Sequence, residues 1–277
     1  MNMDSVVSAA WLKDNFNDPD LVILDASLKV NVSGKKSDYD GIQITGARFF
    51  DLEGTFSDAS SGLPHTLPSA QDFQEASRAL GINNSSKIVV YDNMGIYTAP
   101  RVWWMYKVMG HKNVAVLDGG LPCWVKRGLP TEDIKEQEIE KGDFTAHLDI
   151  AQVKNVEDVK SNLNATDFTV IDARSAGRFN GTEPEPRAGL RGGHIPNSLS
   201  VPFQNLIDDG HFKSKEELTE IFESLGVKDQ PLVFSCGSGV TACVTLLASE
   251  GILNNEKAVY DGSWTEWAQR LDLPVEK

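Results

Sequence analysis

The sequence predicts an α/β protein built from two tandem copies of one domain, each a mainly parallel sheet flanked by helices on both faces. Two observations carry this. Short apolar runs of strand type alternate with helix-period segments along all 277 residues, an order that builds parallel sheets covered on both sides. The order also recurs, with matched residues standing roughly 145 positions apart over the whole length, which marks a duplication.

Leu21-Val22-Ile23-Leu24, running into Asp25, reads as a buried strand after a short helix around Ser8 to Phe16. A polar, Gly-containing stretch extends to Gly46, ahead of Arg48-Phe49-Phe50-Asp51. Ser69 is placed to cap a helix with Asp72 three residues on, and Phe73, Ala76 and Leu80 give it one apolar face before Gly81 closes it. Lys87 to Tyr91 is a second strand, Thr98 to Met109 a helix stopped by Gly110, and Val114 to Leu117 a third strand leading to Asp118-Gly119-Gly120. In the second half, Val170-Ile171-Asp172-Ala173 answers Ile23-Leu24-Asp25-Ala26. Ser214, Leu218, Ile221, Leu225 and Gly226 answer Ser69, Phe73, Ala76, Leu80 and Gly81, and Asp261-Gly262 with Trp267 answers Asp118-Gly119 with Trp124. The expected division is a first domain at 1–133, a linker at 134–147 and a second domain at 148–277. The charge run Glu132, Asp133, Glu136, Glu138 and Glu140 reads as solvated surface.

Chemistry concentrates in Cys236-Gly237-Ser238-Gly239-Val240-Thr241, between the strand-like Pro231 to Ser235 and a helix-forming run from Ala242 to Ala248. Two glycines at alternate positions let successive N–H groups turn inward at a helix N-terminus, an anion-binding nest whose first side chain is a thiol. Aligned N–H dipoles there favour thiolate, so Cys236 is the candidate nucleophile. The opposing reading is a buried, inert cysteine. The repeat places Asp92 opposite Cys236, so the first copy lacks the thiol, and the cleft between the copies is the expected substrate site.

Composition narrows the partners. With 26 Lys+Arg against 40 Asp+Glu the net charge is -14, which argues against nucleic acid and against an anionic membrane surface. An anionic substrate then needs a local basic pocket. Cys123, Cys236 and Cys243 form no C-x-x-C pair, so neither a disulfide framework nor a zinc site is suggested, and no metal is expected. The N-terminus carries an early acid and no long apolar stretch, and no run approaches a membrane span, which points to a cytoplasmic protein. Cys243 and Cys123 read as core, the latter beside Trp124; His194 reads as structural. His111, His147 and His211 read as solvated or capping groups, and Arg174 and Arg191 as ion-paired.

These features resemble the two-domain rhodanese sulfurtransferases, and most closely those acting on 3-mercaptopyruvate. The resemblance rests on the Cys236 to Thr241 loop, Gly193-His194-Ile195-Pro196, Tyr260-Asp261-Gly262-Ser263-Trp264-Thr265-Glu266-Trp267, and Asp172-Ala173-Arg174 with Gly177-Arg178-Phe179 and Pro184-Glu185-Pro186-Arg187. In that family thiosulfate enzymes carry Arg and Lys after the cysteine, whereas mercaptopyruvate enzymes carry Gly-Ser-Gly, as here. The resemblance implies that Arg178 and Arg187 hold the substrate carboxylate, a role suited to planar guanidinium groups. It implies that the Gly237, Gly239, Val240 and Thr241 backbone and the Ser238 hydroxyl cradle the reacting sulfur. It further implies that His65, with an acid at Asp51 or Glu53, forms a proton relay with Ser238. The acceptor would be a thiol, a thioredoxin-like protein or cyanide, with no cofactor. Where the family's first domain often has His-Ile-Pro-Gly, this chain has Gln43-Ile44-Thr45-Gly46, a departure expected to affect local capping.

Three rival functions are weighed. Thiosulfate:cyanide sulfurtransfer uses the same cysteine with a different donor. A dual-specificity phosphatase of related fold needs an Arg six positions after its cysteine, where this chain has Ala242. A non-enzymatic persulfide carrier would transfer sulfur to one protein partner only.

Overall fold

The computed structural model describes residues 3–28, 34 and 36–277; the Met1-Asn2 start and part of the polar stretch before Gly46, at 29–33 and 35, lie outside the described residues. The chain forms two compact units. One comprises the chain up to Asp58, Leu67–Asp149 and Asp209–Phe212; the other comprises Ala59–Thr66, Ile150–Asp208 and Lys213–Lys277. Segments 59–66 and 209–212 therefore group with the unit built mainly from the other half of the sequence, which the repeat pattern does not foreshadow.

In the first unit, β1 (Val6–Val7), β2 (Leu21–Asp25), β3 (Arg48–Phe49), β4 (Lys87–Tyr91) and β5 (Val114–Leu117) make a parallel sheet in the order β1-β5-β4-β2-β3. Its central strands are continuous Val/Ile/Leu runs because a sheet covered on both faces has no polar side. Helices α1 (Ala9–Asp14), α2 (Ala70–Ala79), α3 (Ala99–Val108) and α4 (Gly120–Lys126) accompany it. Alternation sends Ile23, Val89 and Ala115 into one cluster with Leu12, Leu121 and Trp124, and Cys123 joins the same cluster. The Ser69 side chain caps α2 by accepting the Asp72 N–H, as the sequence predicts. Ile42–Ile44 pairs antiparallel with Thr131–Asp133.

The connecting stretch forms no helix or strand over 134–147, but its backbone is bonded to the first unit: Gly142 to Arg78 O, Phe144 to Ile82 O and His147 to Met109 O. Phe144 is buried edge-on to Phe73, Tyr106 and His111. Within the charge run, Glu132 is bonded to Lys135, the Gly46 N–H and Gln43, which hold its carboxyl down to about 2. His111, expected at a surface or a cap, is instead buried in this aromatic cluster; its Nε2 donates to Ser86 O at 2.8 Å, and burial makes it less basic than usual. Nothing in one sequence separates such a histidine from a surface one.

The second unit repeats the topology. Strands β6 (Val153–Lys154), β7 (Thr169–Asp172), β8 (Leu199–Ser200), β9 (Leu232–Ser235) and β10 (Lys257–Tyr260) lie parallel in the order β8-β7-β9-β10-β6, the same arrangement read from the opposite edge. Its helices are α5 (Val156–Ala165), α6 (Ala176–Phe179), α7 (Lys215–Glu223), α8 (Val240–Ala248) and α9 (Ser263–Gln269). Ser214 and Glu217 form a full capping box on α7. Val170, Val233, Tyr260, Trp264 and Trp267 share one core cluster. Among the described residues no helix is long and apolar enough to cross a membrane.

Candidate active site

Strand β9 ends at Ser235, and residues 236–239 turn the chain into α8. Gly239 makes the turn possible: it sits at φ 76, a left-handed conformation that costs glycine little. Helix α8 follows with Val240, Ala242, Cys243, Val244 and Leu246 all buried, so its N-terminus is fixed by packing as well as by the turn. Cys236, at the start of the loop, is 1% exposed.

The loop is fastened from α9. Trp264 N–H donates to Cys236 O at 3.0 Å, and Thr265 donates to Gly237 O through its N–H at 2.9 Å and its hydroxyl at 2.6 Å. In a trans peptide the N–H points opposite to the C=O, and no peptide here is cis. The Gly237 and Ser238 N–H groups are therefore turned away from α9. Ser263 completes the tie: its Oγ accepts the N–H groups of Cys236 at 3.2 Å and Gly239 at 3.1 Å while donating to Tyr260 O at 2.8 Å. Gly239, expected to offer its N–H to the reacting sulfur, thus directs it to Ser263. Of the other amides expected in the cradle, those of Val240 and Thr241 belong to the first turn of α8, where amides have no acceptor within the helix.

Arg178, on the four-residue α6 capped by Ser175, and Arg187 both reach this loop. A Cβ placed on Gly237 would lie 3.1 Å from Arg178 Nη2 and 3.7 Å from Arg187 Nη1. Arg187 Nη2 also lies 3.5 Å from Ser238 Oγ, at the long limit of a hydrogen bond. The sequence-derived pair of guanidinium groups is therefore brought together beside the cysteine loop.

Behind them runs a buried ion chain. Asp172, at the end of β7, accepts Arg174 Nε at 3.0 Å and Nη2 at 2.6 Å, and Arg174 Nη1 donates to Glu185 Oε1 at 2.8 Å. The other Glu185 oxygen accepts Arg178 Nη2 at 2.6 Å. Arg174 stacks over Trp264 at 4.1 Å, and although burial opposes its charge, Asp172 and Glu185 raise its basicity above the usual arginine value.

His65 Nδ1 lies 3.0 Å from Ser238 Oγ, with both residues buried and both in the second unit. His65 adopts φ 61, a conformation that costs a non-glycine residue of order 1 kcal/mol and recurs at functional positions. The two acids named with it belong to the first unit: the Asp51 carboxylate accepts the Gly54 and Thr55 N–H groups and the Thr55 hydroxyl, and Glu53 is exposed.

The first copy supplies a comparison within the same chain. Asp92 stands where Cys236 stands in the second, and its carboxylate lies in the corresponding turn: Oδ2 accepts the N–H groups of Tyr97, Thr98 and Ala99 at 2.8 to 3.0 Å, and Oδ1 that of Met94 at 3.0 Å. Leu121 N–H donates to Asp92 O at 3.0 Å, just as Trp264 donates to Cys236 O. In the first copy the loop thus collects amides around an anion carried in its own side chain.

Sequence reasoning missed Ser263, Thr265 and Glu185 as parts of this machinery. A signal existed for Ser263: the repeat sets it opposite Gly120, at φ 51 against 49 for Ser263, so only the second copy adds a hydroxyl at that turn. Arg191, expected to be ion-paired, instead donates to the Trp267, Ala268, Arg270 and Leu273 carbonyls at the end of α9. His194 stacks on Phe179 at 3.8 Å and donates to its carbonyl, and Cys243 is fully buried with its thiol on Gly239 O. His211 pairs with Asp118 at 2.9 Å.

Known proteins are similar to this chain over nearly its full length. A family model described as Rhodanese-like domain matches residues 8–127 and again 155–270. The chain is 41% identical over 276 residues to the 3-mercaptopyruvate sulfurtransferase of Rattus norvegicus, spanning 96% of this chain and 92% of that protein. It is also 41% identical over 273 residues to the thiosulfate sulfurtransferase of Cricetulus griseus, spanning 95% and 91%. The crystal structure of SseA from Escherichia coli, from work on 3-mercaptopyruvate sulfotransferases, is similar with a TM-score of 0.81 at 38% identity, covering 95% of this chain and 99% of that one. With both halves matched and relatives of this identity over nearly the full length, the chain belongs to the Rhodanese-like domain family and carries its domain twice.

Proposed function

We propose that the protein is a sulfurtransferase that moves the sulfur of 3-mercaptopyruvate to a thiol or cyanide acceptor through a persulfide on Cys236, releasing pyruvate. The observation that carries this reading is the meeting of Cys236, the two guanidinium groups of Arg178 and Arg187, and the Ser238–His65 hydrogen bond at one loop. Relatives named for either donor share equal identity with the chain, so overall similarity does not choose between them. The loop does, since Gly237 to Thr241 contains no Lys or Arg to meet a dianion.

In the first half-reaction Arg178 and Arg187 clamp the donor carboxylate and aim its thiol at Cys236. The thiolate attacks the donor sulfur, a bond forms between the two sulfurs, and the C–S bond breaks with its electron pair leaving on the enolate of pyruvate. Ser238, backed by His65, supplies a hydrogen bond or proton to the departing oxygen or carbon. The Gly237, Ser238, Val240 and Thr241 amides shelter the persulfide. An acceptor thiolate then takes the outer sulfur and restores the Cys236 thiolate.

The test is turnover: pyruvate release from 3-mercaptopyruvate and sulfur transfer to cyanide, followed together, with Cys236→Ser as the blank. Pyruvate and thiocyanate formed in equal amounts by the native chain and not by the variant support the reading; turnover by the variant sinks it.

A further inference from the structure

The repeat that sets Asp92 opposite Cys236 also sets Asp25 opposite Asp172, and Ser27 opposite Arg174. In the second unit the Arg174 guanidinium holds both oxygens of Asp172 at 2.6 to 3.0 Å, so that buried carboxylate has its counter-ion. In the first unit the matching carboxylate, on a residue 3% exposed, meets neutral groups instead. Its Oδ1 accepts the Ser27 N–H at 2.9 Å and the Ser27 hydroxyl, and the Tyr91 hydroxyl lies against it. Among the described residues no Lys, Arg or His bonds to it. Burial, with a smaller push from Asp92, raises its proton affinity, as befits a buried carboxylate without a cation.

Arg48 is the complement. It stands beside Leu24 in the sheet, where the second unit sets Leu199 beside Ile171, so here the first copy carries a guanidinium that the second lacks. Leu24 and Asp25, successive in one strand, face opposite sides of the sheet, and Arg48 accordingly donates its Nη1 to Leu80 O rather than to Asp25. It is half-buried, which lowers its basicity, and among the described residues no carboxylate bonds to it. Asp25, Ser27 and Arg48 nevertheless line one cavity of about 670 Å³, a size suited to a small molecule. Tyr39, Ile42, Leu80 and Ile139 add apolar wall. Its other charged residues, Asp40, Lys135 and Glu136, are exposed, and Lys135 is bonded to Glu132 at 2.7 Å. All of these residues belong to the first unit.

We propose that this cavity binds a small guanidino acid, its guanidinium group taking on Asp25 the place that Arg174 takes on Asp172, and its carboxylate meeting Arg48. A planar guanidinium suits a buried carboxylate because it is weakly hydrated and bonds through a fixed fork. The alkyl stem between the two ends lies against the apolar wall. The site is separate from the Cys236 loop, so the inference stands or falls independently of the sulfur-transfer reading.

The test is calorimetric titration of the full native chain with 4-guanidinobutyrate, and with propylguanidine and butyrate, each of which keeps one end of that probe. The expected result is one 4-guanidinobutyrate per chain, bound roughly tenfold or more tighter than either half-probe, the order of one partly buried charge pair. Ser27→Arg, which supplies from the chain the guanidinium that the second copy has, abolishes this binding with Asp25 intact. Arg48→Leu, which copies Leu199, lowers 4-guanidinobutyrate affinity to that of propylguanidine and leaves propylguanidine binding unchanged. No binding by the native chain at millimolar probe overturns the proposal, as does equal binding of the half-probes, a measurement that needs no variant to fold. Native-like binding by Ser27→Arg or by Arg48→Leu overturns it as well.

Discussion

The loop that begins at Cys236 is held by hydrogen bonds from α9 and flanked by two arginines from outside it, so each neighbouring side chain has a separable effect. His65 is the clearest case. It is held at φ 61, against its intrinsic preference, while its ring stays within 3.0 Å of Ser238. Asn tolerates that backbone conformation better than most residues but cannot relay a proton. His65→Asn is therefore expected to melt within a few degrees of the native chain and to lose roughly 10²-fold or more in kcat, in line with the loss of a general acid–base group. Native-like turnover by a folded His65→Asn would remove His65 from the reaction. Cys236, Ser238, Arg178, Arg187 and His65 were legible because their residue types announce chemistry in a known pattern. Ser263 and Glu185 were not, because a serine and a glutamate acquire their roles only when folding brings Ser263 to amides 24 and 27 positions away and closes Glu185 over two arginines.

Among the elements, the loop between β9 and α8 depends on the start of α9 for its shape. Three consecutive residues, Ser263, Trp264 and Thr265, take up two carbonyls and two amides of the loop. Ser263→Ala leaves the Cys236 and Gly239 N–H groups buried without that acceptor, a loss of about 2 kcal/mol or more. The expected outcome is a lower unfolding midpoint in urea together with slower persulfide formation; unchanged midpoint and rate would show that the tie is dispensable. The long elements were readable in the sequence, since β2, β4 and β5 match the apolar runs and α2 matches its Ser69 cap. The edge strands β1, β3, β6 and β8 were not, because two residues carry no periodicity. Phe144 was hidden for a related reason: one aromatic in a charged stretch gives no pattern, yet it belongs to a buried cluster.

For the molecule as a whole, the duplication explains more than the composition does. Both units use one strand order, and in both a turn into a helix follows the strand that leads to Asp92 or Cys236; around Asp92 that turn collects backbone amides. In the first copy the turn is satisfied internally by a carboxylate; in the second the same position is a free, buried thiol. The near-constant offsets made this duplication legible, whereas the grouping of 59–66 with the second unit, which brings His65 to Ser238, follows from tertiary contacts that no repeat records. A net charge of -14 repels anionic donors at long range, so their capture falls to the local cations of the second unit. The central claim is that Cys236 itself takes the sulfur. Its most direct test is the mass of the peptide containing Cys236 after incubation with 3-mercaptopyruvate and no acceptor: the account predicts the addition of one sulfur atom, removed again by cyanide, and an unchanged mass in protein that still releases pyruvate would contradict it.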